Sequence, residues 1–210
     1  MALLSDIVRC ELKPGTHIHE AKAAAAYKTS RTGLREAFID LSAKGFIHLQ
    51  KNKGATVALL DAATVYSVFE GRIVAEKAAA AMAASRASPD ELTALEQFKG
   101  ELKAAQKADD LDAYFAVDRA VHDSIAALSR NTFIEAQVLN LRAHTARCWH
   151  FYKDRGLEEH ADYDELNAVI SNVVERRPDR AAEAMRKHLM AYLDQFQNML
   201  ARQSEVLKWV

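Results

Sequence analysis

Asp118 and His122 lie four positions apart in the segment YFAVDRAVH, which begins at Tyr114. Positions i and i+4 share one face of an α-helix, so this carboxylate and this imidazole could reach one divalent metal ion. His188 stands next to the apolar positions of another candidate helix and could point inward with them. The structural alternative is a local hydrogen bond between Asp118 and His122, with His188 as a satisfied core or boundary residue.

A second group of residues, near the N-terminus, could bind nucleic acid. The segment TSRTGLREAF, residues 29–38, has Arg31, Thr32 and Arg35 in the first turn and a half of a candidate helix. Guanidinium groups there could reach guanine O6 and N7 in a major groove, and a helix N-terminus also favours phosphate. The apolar stripe of this helix occupies other positions, namely Leu34, Ala37, Phe38 and Leu41. The alternative is a solvated, charged helix face in an unrelated small domain.

The elements around this helix predict a winged helix-turn-helix. Two short helices precede it, the first ending before Lys13 and the second running from Glu20 to Tyr27, and Gly45 ends the third as a left-handed cap. Two strands should follow at residues 46–50 and 55–58, joined by a hairpin turn at residues 51–54. The turn carries Lys53 and Gly54, and this wing tip could meet the DNA backbone or the adjacent groove.

After residue 60 the sequence contains long apolar-periodic segments and no strand pattern. Ser88-Pro89 has the form of an N-cap followed by a proline in the first turn, and other polar residues punctuate the rest. These signals predict six helices, at residues 62–86, 89–107, 110–128, 131–155, 158–176 and 178–206. The predicted fold is mainly α, with a winged helix-turn-helix domain at 1–60 and an all-α antiparallel bundle of six to seven helices at 61–210.

Charge is distributed unevenly along the chain. Residues 1–60 hold nine Lys and Arg against five Asp and Glu, a net charge of +4, whereas the other 150 hold 19 against 24, a net charge of −5. A basic small segment suggests a polyanionic partner, although an imbalance of this size also arises by chance. The sequence has no run of 18 apolar residues and no signal peptide, so we expect a cytoplasmic protein without a membrane partner.

The N-terminal segments ELKPG, TSRTGLREAF, KGFI and KGATV resemble the DNA-binding domain of GntR-type bacterial transcription regulators. The family pattern is roughly VSRTPVREAL, then a leucine and glycine four residues apart, then a GxxV wing. Gly33 stands where the family usually has proline, and Thr29 where it has an aliphatic residue. The resemblance implies DNA contacts, in a symmetric dimer that reads a palindrome, from Ser30, Arg31, Thr32, Arg35, Lys53 and Gly54.

The C-terminal segments VDRAVHDSIAALSRN and DELNAVISNVVERRPDRAAEAMRKHL resemble the FCD ligand-sensing domain of the FadR-type branch. Many such domains hold a divalent metal, such as zinc or nickel, through one Asp and three His. The resemblance assigns Asp118, His122 and His188 to three of these positions, but Leu166 occupies the fourth. Either three ligands act with a carboxylate effector and water, or the site is metal-free. His160 is poorly spaced to substitute, and His144 and His150 have no geometric support.

The same resemblance implies an effector-binding arginine. Arg72 lies in EGRIVAE, which is similar to the first helix of the FCD domain, where an arginine commonly faces the pocket. An arginine inside a helical bundle needs an anionic partner. That partner could be an organic acid bound by two hydrogen bonds, or only Glu76 at i+4. Arg142 is a second candidate, and Asp118, His122 and His188 complete the implied effector site.

Two functions from different classes follow. The first is a ligand-responsive DNA-binding regulator, a repressor of a metabolic operon that a small carboxylate releases from its operator. The second is a metal-dependent helical-bundle enzyme that uses Asp118, His122 and His188, with an open coordination position. The basic N-terminal segment favours the regulator, and we find no nucleophile–base pair or phosphate loop for the enzyme, so we expect no catalytic residues.

Overall fold

The computed structural model of the chain describes residues 2–50, 53–155, 157 and 162–206. A 3₁₀ turn at Lys153–Arg155 accompanies helices and strands in the following order. They are α1 Ala2–Val8, β1 His17–Ile18, α2 Glu20–Ala26, α3 Arg31–Ala43, β2 Ile47–Gln50, β3 Gly54–Val57, α4 Ala62–Arg86, α5 Pro89–Ala108, α6 Leu111–Leu128, α7 Thr132–Tyr152, α8 Tyr163–Val174 and α9 Pro178–Val206.

The first 60 residues form the predicted winged helix-turn-helix, with one strand more than expected. β3 lies between β1 and β2 and pairs antiparallel with both. The sequence pattern did not predict β1, because a strand of two residues, His17 and Ile18, is too short to show an alternating pattern. Of the predicted hairpin turn, Lys51 and Asn52 lie outside the described residues. The core of this part includes Ile7, Leu34, Phe38, Leu41, Phe46 and Val57.

Gly54 is the residue that brings the wing and β1 together. Its φ is +97°, in a region that favours glycine, and a Cβ would overlap the carbonyl oxygen of Ile18.

Gly54→Ala should therefore lower the free energy of unfolding by about 2 kcal/mol or more, measured by thermal or urea denaturation. The matched control is Gly100→Ala in α5, where a Cβ would meet nothing within 4 Å and helix propensity should raise stability by up to about 1 kcal/mol. Equal stability of Gly54→Ala and wild type would contradict this reading of the turn.

The C-terminal helices follow the predicted boundaries closely, because their caps are local. Ser88 forms a capping box with Glu91, and the Asp110 side chain accepts a hydrogen bond from Ala113 N at the start of α6. α7 ends at Tyr152, three residues earlier than predicted. Part of the predicted helix 158–176 lies outside the described residues, and α8 begins at Tyr163 after the cap of Asp162.

Packing divides the described residues into two compact units, and the division runs through α4 and α7. One unit comprises residues 1–65 with 143–155, and the other comprises 66–142 with 156–210. The second unit has its own large core, formed by α4, α5, α6, α8 and α9 together with Val138 of α7. No helix in the described part of the chain has an 18-residue stretch apolar enough to cross a bilayer.

Candidate functional site

The N-terminus of α3 is built around Ser30, and it leaves Arg31 and Thr32 exposed. The Ser30 Oγ accepts a hydrogen bond from the Gly33 backbone N–H over 3.0 Å, as an N-cap does. Proline at position 33 could not donate that bond. A Cβ at Gly33 would also lie 2.9 Å from Thr29 Oγ1, so the glycine suits this cap in a way that the usual proline would not.

Arg35, one turn further along α3, pairs with Glu20 at the start of α2. Arg35 Nε lies 2.5 Å from Glu20 Oε1, and Arg35 Nη2 donates a hydrogen bond of 3.3 Å to Glu20 Oε2. The two residues are 15 positions apart, and no local pattern connects them. Next to this pair, a concavity of about 570 Å³ lies between the start of α2 and the wing, and its lining includes Gln50, Lys53 and Gly54.

Asp118 and His122 of α6 meet His188 of α9 inside the second unit. His188 Nε2 lies 3.0 Å from Asp118 Oδ1 and 3.1 Å from His122 Nε2, and His122 Nε2 lies 3.5 Å from Asp118 Oδ1. Both histidines are buried. Ligand atoms around one metal ion with bonds of about 2.0–2.2 Å stand about 3.4 Å apart, so three donor atoms could share one ion here.

Glu76 of α4 links this cluster to Arg72. His122 Nδ1 donates a hydrogen bond to Glu76 Oε2, and Arg72 Nε donates one of 2.6 Å to Glu76 Oε1. Burial alone would raise the pKa of Glu76, but the charges of Arg72 and His122 outweigh it and hold that pKa well below its usual value. Because Nδ1 of His122 donates to Glu76, the neutral form of His122 would present the lone pair of Nε2 to the cluster, as in carboxylate–histidine–metal arrangements.

Burial and the neighbouring charges also shift the pKa values of Asp118, His122 and His188. Burial would raise the pKa of Asp118, but the two histidines lower it well below its usual value. Burial would lower the pKa of His122, but Glu76 and Asp118 raise it. For His188 burial prevails and lowers the pKa. A neutral imidazole and an ionised carboxylate are the forms that bind metal.

The donor set fits a divalent metal with open coordination positions. The fourth family position, Leu166, is fully buried and apolar, and the cluster of possible ligands in the described residues contains only Asp118, His122 and His188. His188 Nδ1 is buried without a hydrogen-bond partner in the described part of the chain, so His122 has the outer-shell support that His188 lacks.

Two tyrosines that the sequence pattern did not single out adjoin the cluster. Tyr192 donates a hydrogen bond of 3.3 Å to the Tyr114 hydroxyl, which in turn donates one of 3.2 Å to the Asp162 carbonyl. Burial, and then the charge of Asp118, raises the pKa of both phenols. The spacing in the sequence could have identified them, because each tyrosine lies one helical turn from a candidate ligand on the same helix face. Tyr114 is four positions before Asp118, and Tyr192 is four positions after His188.

Arg142 of α7 also belongs to this charged region. It pairs with Asp123 of α6. Burial lowers the pKa of Arg142, and the charges of Arg72, Glu76 and Asp118 also act on that guanidinium. The structure therefore brings Arg72 and Arg142 to the same region as the cluster. Each already has a carboxylate partner, and for Arg72 that partner is Glu76, the i+4 alternative left open by the sequence.

The histidines suggested as substitutes do not complete the cluster. His144 Nε2 donates a hydrogen bond of 2.8 Å to the Lys44 carbonyl, and its ring stacks on Phe46 with 4.0 Å between centroids. It therefore packs in the first unit, as Arg147 does by bonding the Ala58 carbonyl. His150 is exposed and is not part of the described cluster, and His160 lies outside the described residues.

Comparisons with known proteins match both parts of the chain. The family described as bacterial regulatory proteins, gntR family, matches residues 1–57, and the FCD domain matches residues 67–191. The Nta operon transcriptional regulator of Aminobacter aminovorans is 29% identical over 196 residues, covering 90% of this chain and 88% of that protein. The HTH-type transcriptional repressor RspR of Escherichia coli K12 is 28% identical over 193 residues, covering 89% and 82%.

Solved structures share the fold. Escherichia coli McbR/YncC superimposes with a TM-score of 0.71 at 17% identity and covers 94% of each chain. A GntR-family transcriptional regulator from Pseudomonas syringae pv. tomato gives a TM-score of 0.57 at 21% identity, covering 97% of this chain and 84% of that one. At these identities the likeness concerns the fold alone.

Proposed function

Because this chain belongs to the gntR family of bacterial regulatory proteins and carries an FCD domain, we propose that it represses a metabolic operon and leaves its operator when a small organic acid binds. A transcriptional regulator of this type is not an enzyme, and the matched relatives carry regulator names. The metal-dependent enzyme considered from the sequence is therefore not favoured. The observation that carries the proposal is the pair of family matches, one for each part of the chain.

The DNA-binding domain, residues 1–60, contacts the operator through Ser30, Arg31, Thr32, Arg35, Lys53 and Gly54. In support, Arg31, Thr32, Arg35 and Lys53 are exposed, and Ser30 fixes the start of α3. Contacts from the first turns of a helix to base edges specify sequence, whereas a lysine in the wing adds attraction to phosphate. The regulator acts in the cytoplasm, where its operator is.

The second domain, residues 61–210, binds the effector. Asp118, His122 and His188 would hold a divalent metal such as zinc or nickel, and the ion would supply a Lewis acid for the carboxylate of the effector. Arg72 and Arg142 add positive charge to this region and favour an anionic ligand. Glu76 orients His122 through Nδ1. Binding that favours one arrangement of the dimer changes its affinity for DNA.

A homodimer is proposed because one recognition helix covers only half a palindromic site. Support comes from large apolar side chains on α4 and α7 that are exposed in the single chain. Val74 is 74% exposed and Phe133 is 85% exposed, and Tyr66 and Leu139 are also exposed. A contiguous apolar patch marks an interaction surface, and we propose that these side chains belong to the surface that a second copy covers.

The function is tested by selecting duplexes from a random-sequence library with the full-length chain, and then titrating small carboxylates from acetate to citrate. We expect a selected duplex to bind at moderate salt, and at least one carboxylate to weaken binding by about fivefold or more, within the usual range of allosteric coupling. If no duplex is enriched even at low salt, the regulator proposal fails. If every carboxylate leaves binding unchanged, the effector class is wrong.

Metal binding gives a separate prediction. After chelation, adding zinc or nickel at 100 times its dissociation constant should stabilise the wild-type chain by about 2.7 kcal/mol, seen as a higher melting temperature with one metal per chain by elemental analysis. His188→Ala should lower metal affinity at least 100-fold, more than loss of an outer-shell partner does. His48→Ala, an exposed histidine of β2, is the matched control. A wild-type chain that retains no metal would contradict the assignment.

A further inference from the structure

Glu20 and Arg35 form a two-pronged contact within the helix-turn-helix. The Nε and Nη2 edge of the Arg35 guanidinium faces the Glu20 carboxylate, at 2.5 Å for the Nε contact and 3.3 Å for the Nη2 hydrogen bond. Only the Nη2 contact has hydrogen-bond geometry, whereas the Nε contact is a close ion pair to an oxygen that has no hydrogen-bond partner in the described residues. Together the two contacts hold one edge of the guanidinium against the carboxylate. The carboxylate belongs to α2 and the guanidinium to α3, so the side chain of Arg35 has a defined direction before any ligand arrives.

A gain in folding stability does not explain why Glu20 and Arg35 are paired. The Arg35 side chain is 68% exposed and that of Glu20 is 26% exposed, and solvent-exposed ion pairs contribute little to stability. An acidic side chain beside a surface that meets phosphates also repels DNA. Glu20 is therefore a cost for sequence-independent binding, and its contribution has to lie elsewhere.

The contact leaves the end of the guanidinium available. Arginine has five N–H donors; the hydrogen bond to Glu20 uses one of Nη2, and Nε lies against Glu20 Oε1 as a close ion-pair contact. Both N–H groups of Nη1 and the outer one of Nη2 remain. Guanine accepts two hydrogen bonds from an arginine, through O6 and N7, so Arg35 has enough donors to hold Glu20 and a guanine together.

We infer that Glu20 is a positioning residue for sequence recognition, which holds the Arg35 guanidinium in the orientation that reads one guanine. This inference rests on the proposed DNA-binding function. A free arginine can turn toward a neighbouring phosphate, where it adds affinity without sequence information. Glu20 occupies the inner edge of the guanidinium and keeps its outer end toward the base, so it lowers affinity for all DNA and raises discrimination between sequences.

The experiment compares Glu20→Gln, Arg35→Ala, the double variant and Glu36→Gln on three duplexes. These are a duplex selected by the wild-type chain from a random library, the same duplex with single G·C pairs replaced, and an unrelated duplex. Glu36 is the matched control, since it is an exposed acid next to Arg35 for which the described residues offer no ion-pair partner. Fluorescence anisotropy at fixed salt gives each affinity, and circular dichroism checks folding.

Glu20→Gln should bind the unrelated duplex as well as or better than wild type, and should lose about fivefold or more of its preference for one G·C pair, the lower range for one bidentate contact. Arg35→Ala should lose the preference at the same pair, and adding Glu20→Gln to it should change nothing further. Glu36→Gln should keep the preference.

Three results would contradict either the inference about Glu20 or the proposed function on which it rests. If Glu20→Gln keeps the preference within twofold while Arg35→Ala loses it, Glu20 is only a surface ion-pair partner. If Arg35→Ala also keeps every preference, Arg35 does not read a base and the inference fails, although DNA binding stands. If the wild-type chain selects no duplex, the proposed function itself fails.

Discussion

Replacing both Arg31 and Arg35 with alanine should lower the affinity for a selected duplex roughly 30-fold to 10⁴-fold, because each bidentate arginine–guanine contact supplies about 1–3 kcal/mol of discrimination. Affinity for unrelated DNA should fall much less. The two guanidinium groups lie at the exposed start of α3, where a helix enters a major groove end-on. Affinities measured by anisotropy at several salt concentrations would separate base contacts from phosphate contacts, which also lower the salt slope by about one each.

The matched control removes the same charge elsewhere. Arg119 of α6 and Arg180 of α9 are exposed arginines in helices of the second unit. Replacing both with alanine changes the net charge equally and should leave the affinity for the selected duplex within about twofold, since neither arginine belongs to the helix-turn-helix that is proposed to contact the bases. Similar losses in the two double variants would show that net charge, and not readout by α3, governs binding.

Replacing Glu76 with alanine should lower the free energy of unfolding by about 3–5 kcal/mol. The Glu76 side chain is 1% exposed and accepts hydrogen bonds from Arg72 and His122. Its loss leaves the guanidinium of Arg72, which is 6% exposed, buried without that carboxylate. For a chain of this size each kcal/mol shifts the melting temperature by about 2–4 °C, so calorimetry or thermal denaturation in chelator measures the effect without metal.

Two further variants serve as controls for Glu76→Ala. Glu96→Ala removes an exposed acid, 56% accessible, from its pair with Lys99 in α5, and should change stability by less than about 1 kcal/mol. The double variant Glu76→Ala with Arg72→Met should recover part of the loss, because it removes both buried charges. If Glu76→Ala is as stable as wild type, the buried network does not hold the domain together.

The sequence located most of the helices because the signals that start and stop a helix are local. The N-cap of Ser88 and the left-handed Gly45 lie where the sequence pattern predicted them, and the cap of Ser30 also acts within a few residues. The spacing of Asp118 and His122 also fixed their common face before any packing was known. β1 could not be predicted from the sequence, because a two-residue strand is defined only by its pairing with β3.

The sequence by itself determined the winged helix-turn-helix, the helical second part and the residue types that could bind DNA or a metal. Only the tertiary structure decided the partners. Glu76 meets His122 across 46 positions, Glu20 meets Arg35 across 15, and His144 packs on Phe46 instead of joining the cluster of Asp118, His122 and His188. The reason is physical. Helix periodicity and caps depend on neighbours within about one turn, whereas these contacts depend on how separate helices pack.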